Sequence, residues 1–401
     1  MQKILEKLTI LALILTWLSH LVQVFTPEVG FDAVWYHLPV VKAIIEQQKL
    51  VYLPELYQSV NPLFSDLIFA LGFFFAKELG VKIVAYLFGL SLAVASYFLS
   101  RKLLNHFWSL LVVLIISTFQ VVAWQSSSFY VDVAKAFWEI TSLLSLVSWF
   151  NSQDNKYLLI SGLLLGASLA TKLFSIFLLP VFLLLVFSWI KKDKIVNLIK
   201  FIISSLLLSL PFYAFTFLKT GTPFFSFSQH LNKLGEIGGS ESAVLYFFQR
   251  TKLILTLPYQ LIFARDYTSF LLILFLPVIF YYYKKIVNHQ LLLGLTLFTL
   301  WQIALWWYLP PLSTRYALAG FIIWTVIAIW GVSSLVKTKP QFYYPILASI
   351  ALGVLINLAP RMMVNWRSLK YLSGQQNKKE YIHQFFDGNI DQHLEKWYQL
   401  N

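Results

Sequence analysis

The feature that most limits what this chain can fold into is a series of eleven apolar runs, at about 4–25, 83–100, 107–124, 129–150, 157–171, 173–190, 201–218, 268–283, 291–309, 316–336 and 342–358. At ~1.5 Å per residue, a helix of about 20 apolar residues crosses the ~30 Å hydrocarbon layer of a bilayer. Only 12% of the 401 residues are charged and 58% are hydrophobic, whereas a soluble domain carries roughly 25% charged residues. A water-soluble fold could not cover that much apolar side chain with polar surface. The chain therefore reads as an all-α polytopic membrane protein. Its 18% aromatic content suits helix ends seated among lipid headgroups.

Residues 4–25 could be mistaken for a cleaved leader. They are followed by no small-x-small site, and Thr26-Pro27-Glu28 reads as a helix stop, so the segment is expected to be a retained first helix. The block 157–190 is too long for one crossing, and Lys172 marks the expected break. Pro62–Ala76 is apolar but short and holds Asp66. Whether it spans sets the orientation of everything after it. If it does not, the short loops on the N-terminal side carry Arg101, Lys102, Lys156, Lys191, Lys192, Lys194, Lys284, Lys285, Lys337 and Lys339, against only Lys172 and Arg315 opposite. Cytoplasmic loops carry the basic excess, so 62–76 is expected to be an interfacial or half-inserted helix on the outer face.

The resulting topology has a cytoplasmic N-terminus and a transmembrane domain over 1–360. Outer loops lie at 26–80 and 219–267, and a short polar tail over 361–401 lies outside. Ala33–Gln48 has helical apolar spacing and is expected to lie along the membrane surface. The later outer loop is punctuated by Gly221, Pro223, Gly235, Gly238 and Gly239. The formal charge of +13 could suggest nucleic acid. Most basic residues sit at helix ends, however, so no nucleic-acid partner is expected. Cysteine is absent, which excludes disulfides and thiolate metal sites.

Charges near membrane depth are candidates for function, and this topology gathers several on the outer face. Asp32 follows the first helix, where a carboxylate could take a proton from a substrate hydroxyl or bind a metal ion; it also fits a helix N-cap. Asp132 opens the fourth helix after Ser126-Ser127-Ser128, placed to face Asp32. Lys135 and Glu139 follow on the same helix side, where Lys135 would neutralise the acids. Lys172 and Arg315 could be interfacial anchors, or could hold a phosphate. A carboxylate base together with cations for a departing phosphate suits glycosyl transfer from a lipid phosphate, whose tail would stay in the bilayer.

Asp32 in GFDAVWYHLP, Asp132 in SSSFYVDVAKAF, Lys172 in GASLATKLFSIFLLP, Thr220-Gly221-Thr222-Pro223-Phe224 and Arg315-Tyr316 in STRYALAGF together resemble the GT-C glycosyltransferases. The bacterial branch related to protein mannosyltransferases and aminoarabinose transferases is the most similar. The resemblance runs over nearly the whole chain. It implies a GT-C-type bundle of about eleven transmembrane helices with outer-face interfacial helices. It also implies Asp32 as catalytic base, Asp132 as a second acid, and Lys172 and Arg315 on the donor phosphate. Tyr36, His37 and Tyr316 are expected substrate contacts.

The donors of that family are polyprenyl- or dolichyl-phosphate sugars, and its transfers generally invert the anomeric centre. Many members carry two adjacent acids in the first motif, whereas here Ala33 follows Asp32, so no divalent metal or other cofactor is assigned. Members often continue into an outer soluble domain. The expected partners are a polyprenyl-phosphate-linked sugar, a lipid, glycan or protein acceptor, and the bilayer itself. A prokaryotic plasma membrane is the expected location. Two other readings stand beside this one. A transporter or lipid flippase would place charge near the midplane of repeated, broken helices. An O-antigen ligase or polymerase would depend on outer-loop Arg and His.

Overall fold

The computed structural model describes residues 2–225, 243–263, 268–309, 313–385 and 392–399. Pro310, Pro311 and Leu312, and the glycines Gly235, Gly238 and Gly239, fall outside those residues. Among the described residues the structure is helical throughout, apart from short loops and one isolated bridge between Leu53 and Leu56. Among the described residues six helices are long and apolar enough to cross a membrane: Gln2–Phe25, Phe64–Ser100, Lys194–Thr220, Gln290–Tyr308, Thr314–Thr338 and Pro340–Leu372. Shorter apolar helices cover His106–Ser117, Asn155–Leu169, Leu173–Trp189 and Leu271–Tyr281. Together with the charged helix Asp132–Ser152, they account for every apolar run read from the sequence.

The first helix, α1 (Gln2–Val24), ends at Thr26-Pro27 as expected. A wide turn over Ala33–His37 then leads into α2 (Leu38–Gln47). The next helical stretch, α3 (Phe64–Ser100), is two arms joined at a sharp reversal, with Lys77 in the left-handed region at φ 51°. A Cβ on Gly80 would run into the Gly72 carbonyl, so glycine at these two positions lets the arms cross at backbone contact. The first arm stays at one end of the bundle. Phe64 N–H donates to Ala170 O at its start, and Glu78 just past its end meets Trp397 and Tyr398. Leu71, Phe74 and Phe75 remain exposed, as an arm lying among lipids would leave them. This arm covers the short apolar helix expected at 62–76.

After α4 (His106–Ser117) and α5 (Gln120–Gln125), α6 (Asp132–Ser152) runs back across the bundle. It packs on α3 and on α7 (Asn155–Leu169). Gly162 and Gly166, one turn apart on α7, allow the backbone of α9 (Lys194–Thr220) to approach at Ser204 and Ser205. Small residues spaced by four are the usual means of close helix packing in lipid. Between them, α8 (Leu179–Trp189) follows a tight turn over Leu173–Leu178. Lys172 sits extended just before that turn, at the break expected there. Gly221 closes α9 at φ 77°, its N–H donating to Phe217 O, a left-handed helix stop that favours glycine.

The last long helix departs from the sequence reading. It was expected to end near 358, with a polar tail from 361, but it runs Tyr343–Leu372 through Pro360. Its polar residues are buried against α1, which is why the helix persists. Gln23 donates to Asn365 Oδ1 and Ser368 Oγ, both at 2.9 Å, and Asn365 donates to Ser19 O at 2.8 Å. The boundary set at residue 360 therefore falls inside a helix. The remaining tail folds back onto the first loop, where the Tyr398 hydroxyl donates to Glu28 O at 2.8 Å and to Glu78 at 2.9 Å.

Candidate functional site

Segments far apart in the chain meet at the end of the bundle that holds the 26–63 loop. Asp132 stands in the first turn of α6, where the helix dipole favours a carboxylate. Gln125 fixes it from the end of α5: its Nε2 donates to Asp132 Oδ2 at 3.0 Å while its Oε1 accepts from Val133 N–H at 3.2 Å. Lys172 closes directly on Asp132 Oδ1. Arg315 lies in the short turn Thr314–Ala317. Its Nη1 is 3.0 Å from Asp32 Oδ2 and its Nε is 3.7 Å from Asp132 Oδ2.

Asp32, Asp132, Lys172 and Arg315 thus form one alternating cluster of charges. Asp132 is almost fully buried (2%), whereas the side chains of Asp32 and Arg315 keep 18% and 17% of their surface accessible. Asp32 shows no side-chain capping bond to the turn that follows it, so the helix-cap alternative is not what the side chain does. Its backbone N–H donates to the Tyr130 hydroxyl at 3.1 Å, which ties the first loop to the second. The Tyr316 ring lies 4.3 Å from Lys172 Nζ and 5.4 Å from the Arg315 guanidinium. Burial, and then the Asp32 charge, push the Tyr36 and Tyr130 phenols well above their ordinary value, so both are neutral hydroxyls at any physiological pH.

Lys135 and Glu139 pair with each other at 2.6 Å, below the charge cluster. The expectation of neutralisation holds for this pair. Asp132 instead takes its cations from Lys172 and Arg315, because those loops fold over it. Lys135 also donates to Tyr316 O at 3.1 Å and so holds the Arg315 turn. Glu139 accepts from Ser168 and Gln302 as well, which satisfies its second oxygen.

Tyr36, His37 and Tyr316 all line one cavity, of about 330 Å³, with Asp32, Lys172 and Arg315. His37 is committed inside it: Nδ1 lies 2.6 Å from Asp66 Oδ1 and the ring stacks on Phe129. A larger cavity of about 810 Å³ opens on the other side, between the end of α1, the 26–32 loop, α5 and the Tyr343–Leu372 helix. Asp32 and Arg315 are the residues common to both. Sequence reasoning missed Gln125, Glu28, Lys82, Arg361 and the pairing of Asp66. Only Asp66 gave a signal, as a lone acid in an apolar run. Among the described residues, no group of three or more His, Asp or Glu side chains converges as metal ligands would.

Residues 60–215 match the family of dolichyl-phosphate-mannose-protein mannosyltransferases. That stretch includes Asp66, Asp132 and Lys172 and excludes Asp32 and Arg315. No curated protein matches the chain at a significant level. Among solved structures, ArnT from Cupriavidus metallidurans bound to undecaprenyl phosphate aligns at a TM-score of 0.59 and 14% identity, covering 86% of this chain and 62% of that one. The Archaeoglobus fulgidus oligosaccharyltransferase in complex with Zn and sulfate aligns at 0.59 and 14% identity, covering 92% of this chain and 57% of that one. AglB from Archaeoglobus fulgidus, in complex with an inhibitory peptide and a dolichol-phosphate, aligns at 0.55 and 14% identity, covering 95% and 60%. The chain spans about three-fifths of the length of these structures. It has the GT-C membrane fold, as its residues led us to expect.

Proposed function

We propose that this chain is a membrane glycosyltransferase that moves a sugar from a polyprenyl-phosphate donor to an acceptor hydroxyl, inverting the anomeric carbon. The observation that carries the reading is the pair of cavities that share Asp32 and Arg315. A transferase needs two substrates to meet at one base and one charge-stabilising group. A flippase would need one continuous path instead.

The donor phosphate fits the smaller cavity, where Lys172, Arg315 and Tyr316 converge. Among the described residues Arg315 Nε has no hydrogen-bond acceptor, a state that buried N–H groups rarely keep and that a phosphate oxygen would end. The acceptor enters from the larger cavity. Its hydroxyl oxygen attacks the anomeric carbon as the bond from that carbon to the phosphate oxygen breaks. Asp32 takes the hydroxyl proton, and Arg315 and Lys172 neutralise the charge that develops on the departing polyprenyl phosphate. Asp132 holds the two cations in place. The basic excess in the loops at the opposite end supports an extracytoplasmic site in a plasma membrane.

The test is to reconstitute the purified protein, supply a panel of polyprenyl-phosphate sugars with membrane extract as the acceptor source, and follow release of polyprenyl phosphate. Release that depends on one sugar supports the reading. Passage of an intact sugar lipid between leaflets, with no release, would replace it with transport.

A further inference from the structure

The larger cavity carries basic groups that the transfer chemistry leaves unused. Arg361, on the Tyr343–Leu372 helix, is only 8% exposed, yet among the described residues it makes one side-chain hydrogen bond, from Nη2 to Ser127 Oγ at 3.2 Å. Lys82, 3% exposed, donates to Thr26 O at 2.6 Å, Thr26 Oγ1 at 3.2 Å and Pro27 O at 3.5 Å. Neither has a carboxylate within 4.0 Å among the described residues, whereas Lys172 and Arg315 in the charge cluster are each paired with one.

Glu28 lies in the same wall, where its carboxylate is held by neutral donors and partly offsets the charge of Lys82. Oε1 accepts from Gly30 N–H at 2.8 Å and Ser128 Oγ at 2.7 Å, and Oε2 accepts from Phe129 N–H at 2.8 Å. The Asp32–Arg315 pair cancels. With Arg361, Lys82 and Arg315 set against Glu28 and Asp32, the wall keeps one net positive charge. A guanidinium withdrawn from water with a single hydroxyl partner is expensive. It is stabilised once an anion supplies charge-assisted hydrogen bonds to its free N–H groups. The same cavity is bounded by the Trp124 and Tyr130 rings, which offer flat faces to a sugar.

Building on the transferase reading, we propose that the acceptor entering this cavity is an acidic glycan or glycolipid. Its anionic group, a carboxylate or a phosphate, is held by Arg361 and Lys82 while its hydroxyl faces Asp32. Anion recognition at this wall is separate from donor phosphate recognition, which falls to Lys172 and Arg315 in the other cavity.

The test uses three probes that differ in one substituent: octyl β-D-glucoside, its 6-carboxylate (the glucuronide) and its 6-phosphate. Their affinities are measured on the full chain in nanodiscs without donor. The expected result is at least about tenfold tighter binding of one anionic probe than of the neutral one, and which probe wins separates carboxylate from phosphate. Arg361→Gln is expected to bring the ratio near unity, with Arg361→Lys retaining part of it and Lys82→Met reducing it severalfold. Equal binding of all three probes by the wild type would overturn the proposal, whatever the variants do. So would a preference that survives Arg361→Gln, or Lys82→Met should the first variant not fold. Binding is read without turnover, so a failed preference and a failed release of polyprenyl phosphate are distinct results.

Discussion

Arg315 stands 3.0 Å from Asp32 across the narrow wall between the two cavities, so the proposed base and a cation for the leaving group form one ion pair before any substrate arrives. The pair orients the Asp32 carboxylate, and a phosphate entering from the smaller cavity can draw the guanidinium away and release an Asp32 oxygen. Lysine could supply the charge, but not the planar fork that spans two carboxylates and a phosphate. Arg315→Lys is therefore expected to lower kcat/KM for the donor by about 10- to 100-fold, equivalent to ~1.4–2.7 kcal/mol. Steady-state kinetics across donor concentrations checks this, and an unchanged kcat/KM would remove Arg315 from the phosphate site.

Asp132 has a different role from Asp32. It is buried, and it faces both Lys172 and Arg315. Asp132→Asn leaves two partly buried cations without their shared counter-charge. Removing one partner of a buried pair costs roughly 3–5 kcal/mol. The expected outcome is a clear fall in unfolding temperature, part of which returns when Lys172→Met is added. Thermal unfolding of the single and double variants measures this coupling, and strictly additive losses would contradict it.

The Lys135–Glu139 pair is a support rather than a reacting group. Glu139→Gln leaves Lys135 uncompensated in a dry environment, so a loss of about 3–5 kcal/mol is expected. Lys135 also holds the Tyr316 carbonyl, so Lys135→Met should raise the donor KM through the Arg315 turn with little change in kcat. A collapse of kcat with KM intact would place Lys135 in the chemistry instead.

Alkaline pH should destabilise the fold through its buried phenols. Burial comes first among the causes that raise Tyr36, Tyr130 and Tyr398 above the ordinary phenol value, which is ~10 in the unfolded chain. A group raised on folding contributes stability that is fully present below the unfolded value and is lost as pH climbs toward the folded one. The unfolding temperature should be flat up to about pH 9 and fall above about pH 10. Tyr398→Phe should soften that fall. An identical slope in the variant would show that this phenol does not contribute.

The helices and the main charge cluster were legible because both follow from patterns along the chain. Apolar runs mark the crossings, and the basic loops place Asp32, Asp132, Lys172 and Arg315 at one end. Asp66 with His37, Lys82 with Thr26 and Arg361 with Ser127 were not legible, because each contact joins segments brought together only by helix packing. No local spacing encodes such a contact. The end of the last helix was misjudged for a related reason. The apolar run ends near 358, and the burial of Arg361 and Asn365 that accompanies the helix onward to Leu372 depends on contacts with distant segments.

Asp32 is the proposed base, and its substitution tests that role. Transfer rates and donor affinity would be compared for the wild type, Asp32→Asn and Asp32→Glu, each confirmed as folded. General-base catalysis contributes about 10²- to 10⁴-fold. Asp32→Asn should therefore lose at least a hundredfold in rate while donor Kd stays within a few-fold, and Asp32→Glu should recover some of the loss. A rate for Asp32→Asn close to the wild type would contradict the account, and would move the proton acceptor to another residue of the shared wall.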